Sequence, residues 1–97
     1  MTIYLKKFGT LLNGRMFGKE AFAAFLPSLK DVSADEKIEV DFDGVEVFSP
    51  SWGDEFLGSL INKFGERVVL INTSNPSVKT TLRFLENINK TKFKRGS

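Results

Sequence analysis

The 97-residue sequence contains neither cysteine nor histidine. The chain therefore has no thiol nucleophile, no imidazole base and no tetrahedral zinc site of the usual ligands. Without cysteine there is also no disulfide framework, so we expect a cytoplasmic protein. Catalysis would have to rely on carboxylates, lysines, hydroxyls and Tyr4. We expect a protein that is not an enzyme and that holds no metal or cofactor.

Long apolar runs are missing as well. The sequence has no stretch of about eighteen apolar residues that could span a membrane, and its start lacks the continuous apolar block of a secretory signal. Hydrophobic residues make up 41% of the chain, and ten phenylalanines supply much of the core volume. A chain of this length forms one domain and not two. We therefore predict a single domain over residues 1–97.

The net charge of +2 is distributed unevenly along the chain. Residues 31–55 carry nine acidic side chains and one basic side chain. Residues 1–30 carry five basic and one acidic, and residues 56–97 carry eight basic and two acidic. An acidic centre between two basic ends predicts a polarised surface.

Residues 37–64 are the stretch with the clearest pattern, and their sequence is KIEVDFDGVEVFSPSWGDEFLGSLINKF. Ile38, Val40 and Phe42 alternate with polar residues, which is the two-residue period of a strand with one buried face. The acidic turn at Asp43 and Gly44 follows, and then a second short apolar step.

A helix start is predicted after that step. Ser49 can cap the helix with Pro50 at the first helical position, or Ser51 can cap it with Asp54 as an aspartate variant of the capping box. The sequence leaves both caps open. Gly53 and Gly58 within the helix suggest close backbone contacts. An apolar stripe at helical spacing follows the start: Trp52, Phe56, Leu57, Leu60, Ile61 and Phe64.

The remaining elements alternate in type along the chain. Residues 2–8 predict a strand, residues 15–26 a helix that ends near Pro27, and residues 67–72 a strand buried on both faces. A third helix begins at Asn75-Pro76. The apolar stripes of the first and third helices are Phe17, Ala21, Ala24 and Phe25, and Val78, Leu82, Leu85 and Asn89.

The order strand, helix, strand, helix, strand, helix predicts an α/β fold. We expect three helices and a mixed sheet of about four strands that is at least partly parallel, with right-handed crossovers. Residues 90–97 are basic and are predicted to form a flexible tail.

Residues 47–58, VFSPSWGDEFLG, resemble a segment of the STAS domains, the fold of bacterial anti-sigma factor antagonists. Those proteins carry an apolar strand, a short apolar step and then Asp-Ser-Ser-Gly at a helix start. Ser51 stands where the antagonists are phosphorylated, and Ser49 stands where they have the aspartate. Pro50 replaces their first serine, and Trp52 replaces their glycine.

The chain is more similar to the STAS-like domains of unknown function, over roughly residues 2–88. The wider pattern that carries this similarity is Phe8-Gly9, Gly14-Arg15, Val40-Asp41-Phe42, Gly44-Val45, Ser51, Asp54-Glu55 and Phe56. The resemblance implies a non-catalytic, regulatory protein-binding module. Its partner would be a histidine-kinase-like ATPase or a similar regulator.

The resemblance also implies a phosphorylation switch at Ser51. A helix N-terminus tolerates a phosphate because it has free N–H groups and a partial positive charge. The phosphate would add almost two negative charges beside Asp54 and Glu55, which would repel an acidic partner. The alternative is that Ser51 only caps or flanks the helix start, where serine is favoured for its hydrogen bonds.

Six residues are therefore candidates for partner binding: Ser49, Pro50, Trp52, Asp54, Glu55 and Arg15. Trp52, the single tryptophan, is interpreted either as a half-exposed anchor or as a core residue. Arg15 is interpreted either as the partner of an ion pair with the acidic centre or as a contact to a phosphate or to a partner's carboxylate.

Two other functions are weaker alternatives. Lys90, Lys92, Lys94 and Arg95, with Lys79 and Arg83, could form a nucleic-acid-binding patch of an accessory protein, although such a charge run is more often a solvated tail. The sequence Asp41-Phe42-Asp43-Gly44 resembles the first motif of haloacid-dehalogenase-type phosphotransferases, which use Mg²⁺. A strand that ends in an acidic turn explains the same four residues, and matches of this length are common by chance.

Overall fold

The computed structural model describes residues 1–96, in which four parallel strands form one sheet in the order β1-β3-β5-β6. A separate parallel pair is formed by β2 and β4. The strands are β1 (Thr2–Tyr4), β2 (Leu11–Leu12), β3 (Ile38–Asp41), β4 (Val47–Phe48), β5 (Val68–Ile71) and β6 (Lys94–Arg95). In register, Ile3 lies opposite Val40, and Val40 lies opposite Leu70.

Three helices complete the domain: α1 (Arg15–Phe25), α2 (residues 50–64) and α3 (Pro76–Asn89). The second helix is continuous but not uniform. It begins as an α-helix at Pro50–Gly53, widens into a π-helical turn at Asp54–Gly58 and continues as an α-helix through Ser59–Phe64. It ends at Gly65, whose φ of 59° lies in the left-handed region that favours glycine. The predicted α/β fold with three helices is confirmed, and every strand pairing is parallel.

The core lies on one face of the main sheet. Strand residues that alternate along the chain, among them Ile3, Ile38, Val40 and Leu70, are almost completely buried there. These residues pack with Phe56, Leu60, Leu82 and other helix residues in one cluster. The alternation predicted for the strand that contains Ile38 and Val40 is therefore confirmed.

The opposite face of the sheet is more exposed. Tyr4 and Glu39 are exposed, and Val69 and Ile71 of β5 are only half-buried. The prediction that residues 67–72 form a strand buried on both faces is therefore wrong, because the apolar side chains of β5 alternate between a covered and a partly open side.

The first helix faces the core with only part of the predicted stripe, since Phe25 is in the core cluster and Ala21 packs against it. Phe17 is 66% exposed and Ala24 is also exposed, whereas Gly18 and Phe25 are buried. The reason is a close helix crossing, since a Cβ atom built on Gly18 would lie 2.7 Å from the carbonyl oxygen of Trp52. This crossing turns the Gly18 side of α1 toward α2 and leaves Phe17 outside.

The C-terminal segment is not an unstructured tail over its described part. Lys94–Arg95 forms β6, which pairs with Val69 and Leu70, and the N–H of Gly96 donates to the carbonyl of Leu70. Phe93 packs against the core cluster. Ser97 lies outside the described residues. Over residues 1–96, the helices are too short and too polar for any of them to cross a membrane.

Candidate functional site

The start of α2 is fixed by the hydroxyl of Ser49. Its Oγ accepts a hydrogen bond of 3.2 Å from the N–H of Trp52, and Pro50 occupies the first helical position. Of the two caps that the sequence left open, the structure therefore has the Ser49 cap. The carboxylate of Asp54 does not complete a capping box with Ser51, because it binds Arg15 instead.

Ser49 also joins this helix start to the start of α1. The N–H of Gly14, the residue that precedes α1, donates to the same Oγ at 3.3 Å. Gly14 has a φ of 93°, a conformation that favours glycine. Two helix N-termini therefore meet at one hydroxyl, and both direct partial positive charge toward it.

The hydroxyl of Ser51 lies beside that of Ser49, with 3.3 Å between their oxygens. A serine hydroxyl has one hydrogen to donate and two lone pairs to accept. Ser49 already accepts from Gly14 and Trp52, so its own hydrogen is the one directed to Ser51. Ser51 is half-buried and makes no other side-chain hydrogen bond within residues 1–96. Its O–H hydrogen therefore remains available.

Arg15 pairs with the acidic side chains on the first turns of α2. Its guanidinium lies 2.9 Å from the carboxylate of Asp54 and 3.5 Å from that of Glu55. The hydrogen bond with Asp54, and to a smaller extent the charges of both carboxylates, raises the pKa of Arg15 above its ordinary value although burial opposes this. The predicted ion pair between Arg15 and the acidic centre is confirmed.

Trp52 belongs to the core. It is 2% exposed, and its ring stacks on that of Phe56 with 5.0 Å between centroids and 16° between planes. Of the two interpretations of Trp52, the structure therefore supports core packing. A partner cannot contact this side chain as a half-exposed anchor, because the side chain is already covered.

The two glycines of α2 differ in their surroundings. A Cβ atom on Gly53 would lie 2.8 Å from the ring of Phe48 and 3.0 Å from Leu85, which confirms the predicted close contact. A Cβ atom on Gly58 would meet only the carboxylate of Asp54 at 3.6 Å, an ordinary contact. For Gly58 the predicted close approach is not found within the described chain.

An open cleft of about 610 Å³ lies between α1 and residues 8–13. Leu11 and Phe17 at its border are each 66% exposed, and Trp52 contributes to its floor. The sequence alone did not indicate this cleft, because helical spacing placed Phe17 in the core. Gly18, one residue further on, was the available signal, since a glycine inside a helix can mark the side that approaches another helix.

Asp41 ends β3 in a hydrogen-bonded turn. Its Oδ1 accepts from the side chain of Asn72 at 2.8 Å and from the N–H of Asp43 at 2.9 Å. The carboxylate of Asp43 is exposed and lies 4.0 Å from the ammonium of Lys6. Within residues 1–96, no group of three or more acidic side chains is arranged to hold a metal ion. The contacts of Asp41 are those of a strand end that holds the following turn.

The basic residues near the C-terminus do not share one environment. Lys90, Lys92 and Lys94 are exposed, whereas Arg95 binds the carboxylate of Glu86 at 2.9 Å. Glu86 is only 8% exposed. Burial raises the pKa of Glu86, but the hydrogen bonds from Arg95 and from the N–H of Phe93 outweigh it, so the pKa lies below its ordinary value. Arg95 is therefore part of a structural ion pair.

The parallel sheet, the helices on one of its faces and the serine-bearing start of α2 define a STAS-like α/β domain. Residues 16–78, more than half of the chain, match the family model described as a STAS-like domain of unknown function (DUF4325), and the chain belongs to this family. The matched residues include the start of α2 and exclude Arg15 and the C-terminal segment. Neither the curated proteins nor the solved structures yield a match to the chain.

Proposed function

We propose that this protein is a non-catalytic regulatory module that binds another protein at the start of α2, and that phosphorylation of Ser51 controls this binding. The observation that carries the proposal is the state of the Ser51 hydroxyl. It is half-buried, it accepts one hydrogen bond from Ser49, and its own hydrogen has no assigned partner within the described chain. Phosphorylation of Ser51 would therefore disturb few of the contacts that stabilise the fold.

The surroundings of Ser51 suit a phosphate. The hydroxyl is in the first turn of α2, where the helix dipole favours negative charge. Arg15 lies on the same surface and is bound to Asp54 and Glu55. A phosphate on Ser51 would compete with these carboxylates for the guanidinium, since arginine binds phosphate with two parallel hydrogen bonds.

The same charges explain how the switch would act. Unmodified, the surface presents hydroxyls and an acidic pair that Arg15 partly neutralises. A phosphate would add almost two negative charges at this position. A partner with an acidic surface at this position would then be repelled, and binding would depend on the modification. By the family resemblance, the partner is a histidine-kinase-like ATPase or a similar regulator.

The proposal can be tested by affinity capture from the source organism. The bait is the chain itself as wild type, Ser51→Ala and Ser51→Asp, and bound proteins are identified by mass spectrometry after nuclease treatment of the lysate. We expect wild type and Ser51→Ala to retain a common partner and Ser51→Asp to lose it. The aspartate is compatible with folding because acidic residues are favoured in the first turn of a helix.

Two results would contradict the proposal. Capture of the same proteins by all three baits would mean that charge at Ser51 does not control binding. Retention of nucleic acid alone, without nuclease treatment, would favour the accessory protein with a basic patch at Lys90, Lys92 and Lys94. That binding would weaken steeply between about 50 and 200 mM salt, as phosphate contacts do.

A further inference from the structure

The cleft beside α1 has the size of a binding site. Its volume of about 610 Å³ lies within the range of roughly 300–1,000 Å³ typical of ligand sites. Phe8, Leu11 and Phe17 line it with apolar side chains and Asn13 and Glu20 with polar ones, whereas Leu12 and Trp52 behind them are almost completely buried. The cleft therefore offers a surface of mixed polarity with two large apolar side chains that are not covered by the chain itself.

The exposed apolar side chains are not scattered singly around this cleft. Leu11 of β2 lies opposite Val47 of β4 in the parallel pair, and both are exposed. Together with Phe17 they extend the apolar surface beyond the cleft. A continuous apolar surface of this kind on a small domain is typical of a protein-binding site.

The charge of the cleft indicates what could fill it. Glu20 is the one charged side chain that lines it, and Glu20 forms no ion pair with the rest of the described chain. Lys7 is not among the residues that line the cleft, and its ammonium lies over the ring of Phe25, 4.8 Å from the centroid. An occupant that combines an apolar side chain with a neighbouring cation would match both the surface and the charge.

The cleft is also connected to the start of α2. Residues 8–13 form one wall, and the next residue, Gly14, donates its N–H to Ser49, whose hydroxyl contacts Ser51. A partner bound at Ser51 could therefore reach the cleft without crossing the rest of the surface.

We propose that this cleft docks a short segment of the partner protein that carries a large apolar side chain flanked by lysine or arginine. The apolar side chain enters between Leu11 and Phe17, and the cation pairs with Glu20. The inference rests on the proposed function in one respect, namely that the chain binds a protein. It names the chemistry of the partner and a second contact surface, which the switch at Ser51 does not require.

The test uses the full chain and a defined peptide. The probe is a synthetic amphipathic peptide of about twelve residues with leucines at helical spacing and arginines between them. The matched control peptide carries glutamate in place of each arginine. In backbone amide NMR spectra we expect the arginine peptide to shift resonances of residues 8–21, and the glutamate peptide to bind about tenfold more weakly.

Three variants assign the binding to the cleft. Phe17→Ser and Glu20→Lys should each weaken binding of the arginine peptide by about tenfold, and Glu20→Lys should improve binding of the glutamate peptide. Both positions are exposed, so folding is not at risk. Phe84→Ser is the control, because Phe84 is a 49% exposed phenylalanine of α3 outside the cleft. It should leave the affinity unchanged.

Several results would overturn the inference. One is equal binding of the arginine and glutamate peptides. Another is loss of the peptide-induced NMR shifts in Phe84→Ser. A third is an unchanged affinity for the arginine peptide in Phe17→Ser. A dimer in sedimentation equilibrium that disappears in Phe17→Ser would mean that a second copy fills the cleft. The test is independent of the switch, since Ser51→Asp should still bind the peptide. If Ser51→Asp still captured the partner and still bound the peptide, only the proposed function would be contradicted.

Discussion

Two helices of this domain begin with the same arrangement of residues. The second helix begins with Ser49-Pro50-Ser51 and the third with Asn75-Pro76-Ser77. In both, the first residue accepts a hydrogen bond from the N–H three positions later, at 3.2 Å in α2 and 3.1 Å in α3. In both, proline occupies the first helical position and a serine follows.

The two serines that follow the prolines have different tasks. Ser77 accepts a hydrogen bond of 3.1 Å from the N–H of Phe48 and so joins α3 to β4. The side chain of Ser51 forms its one hydrogen bond within residues 1–96 with the hydroxyl of Ser49. Since the same cap-proline-serine pattern yields one structural hydroxyl and one that the fold does not need, function is better sought at Ser51 than at Ser77.

The caps differ as well. The side-chain oxygen of Ser49 accepts from the N–H groups of both Gly14 and Trp52, whereas the side-chain Oδ1 of Asn75 accepts only from the N–H of Val78 within residues 1–96. The start of α2 is thus a junction between two helices, and the start of α3 is an ordinary helix end. Four predictions test this difference, in order of expected effect.

The largest effect is expected where α1 crosses α2. A Cβ atom on Gly18 would lie 2.7 Å and 2.9 Å from backbone atoms of Trp52, which cannot move as a flexible side chain does. We expect Gly18→Ala to lower the free energy of unfolding by about 3 kcal/mol. Gly58→Ala is the control and should raise it by up to about 1 kcal/mol, because alanine is the better helix former. Urea denaturation measures both.

Equal effects of the two glycine substitutions would contradict the close crossing. The junction at Ser49 would then have no rigid support from α1.

The second largest effect is expected at the two helix caps, Ser49 and Asn75. Ser49→Ala leaves two N–H groups without their acceptor, and we expect a loss of about 2 kcal/mol in the free energy of unfolding. Asn75→Ala removes one cap bond and should cost about 1 kcal/mol. Equal losses, measured by urea denaturation at the same pH, would show that the bond from Gly14 adds nothing.

The C-terminal end of α3 is stabilised by an ion pair between Glu86 and Arg95, whereas its start is stabilised by the uncharged Asn75 cap. Glu86→Gln should lower the free energy of unfolding by about 1.5 kcal/mol at pH 7, because the bonds from Arg95 and Phe93 then lose their charge assistance. The pKa of Glu86 lies below its ordinary value of 4.5, since these bonds outweigh the burial that raises it. The contribution of the ionised Glu86 to the free energy of unfolding is therefore present above pH 4.5. It is lost as the pH falls through the lower pKa of the folded state.

Urea denaturation from pH 7 down to pH 3 measures this contribution as the gap between wild type and Glu86→Gln. A gap that stays constant across that range, or widens toward acid, would contradict a stabilising pair between Glu86 and Arg95.

The smallest effect separates the two serines. Ser77→Ala removes the acceptor of the Phe48 N–H and should cost about 1 kcal/mol. Ser51→Ala removes one hydroxyl contact and should change the free energy of unfolding by no more than about 0.5 kcal/mol. A larger loss in Ser51→Ala than in Ser77→Ala would make Ser51 the structural residue and reverse the comparison.

Local pattern was enough to predict much of this fold. The strand with Ile38 and Val40 and the helix starts at Pro50 and Pro76 follow from alternation and capping, which involve residues close in sequence. The pairing of Arg15 with the acidic centre was one of the two interpretations that the sequence allowed, and the structure has this ion pair.

The features that sequence could not give depend on distant residues. Apolar residues occupy several sides of α1, so helical spacing alone allowed Phe17 to be placed in the core, and the contact of Gly18 with Trp52 decides otherwise. The two residues of β6 are charged, and their strand depends on Glu86 and on the backbone of Leu70. The bond from Gly14 to Ser49 joins positions 35 residues apart.

The central claim is that the hydroxyl of Ser51 is available for function while that of Ser77 is used by the fold. Tandem mass spectrometry of the chain purified from its source cells, with phosphatase inhibitors present, tests it most directly. The account predicts phosphate on Ser51 and none on Ser77. Ser51 found consistently unmodified, or phosphate on Ser77 instead, would contradict it.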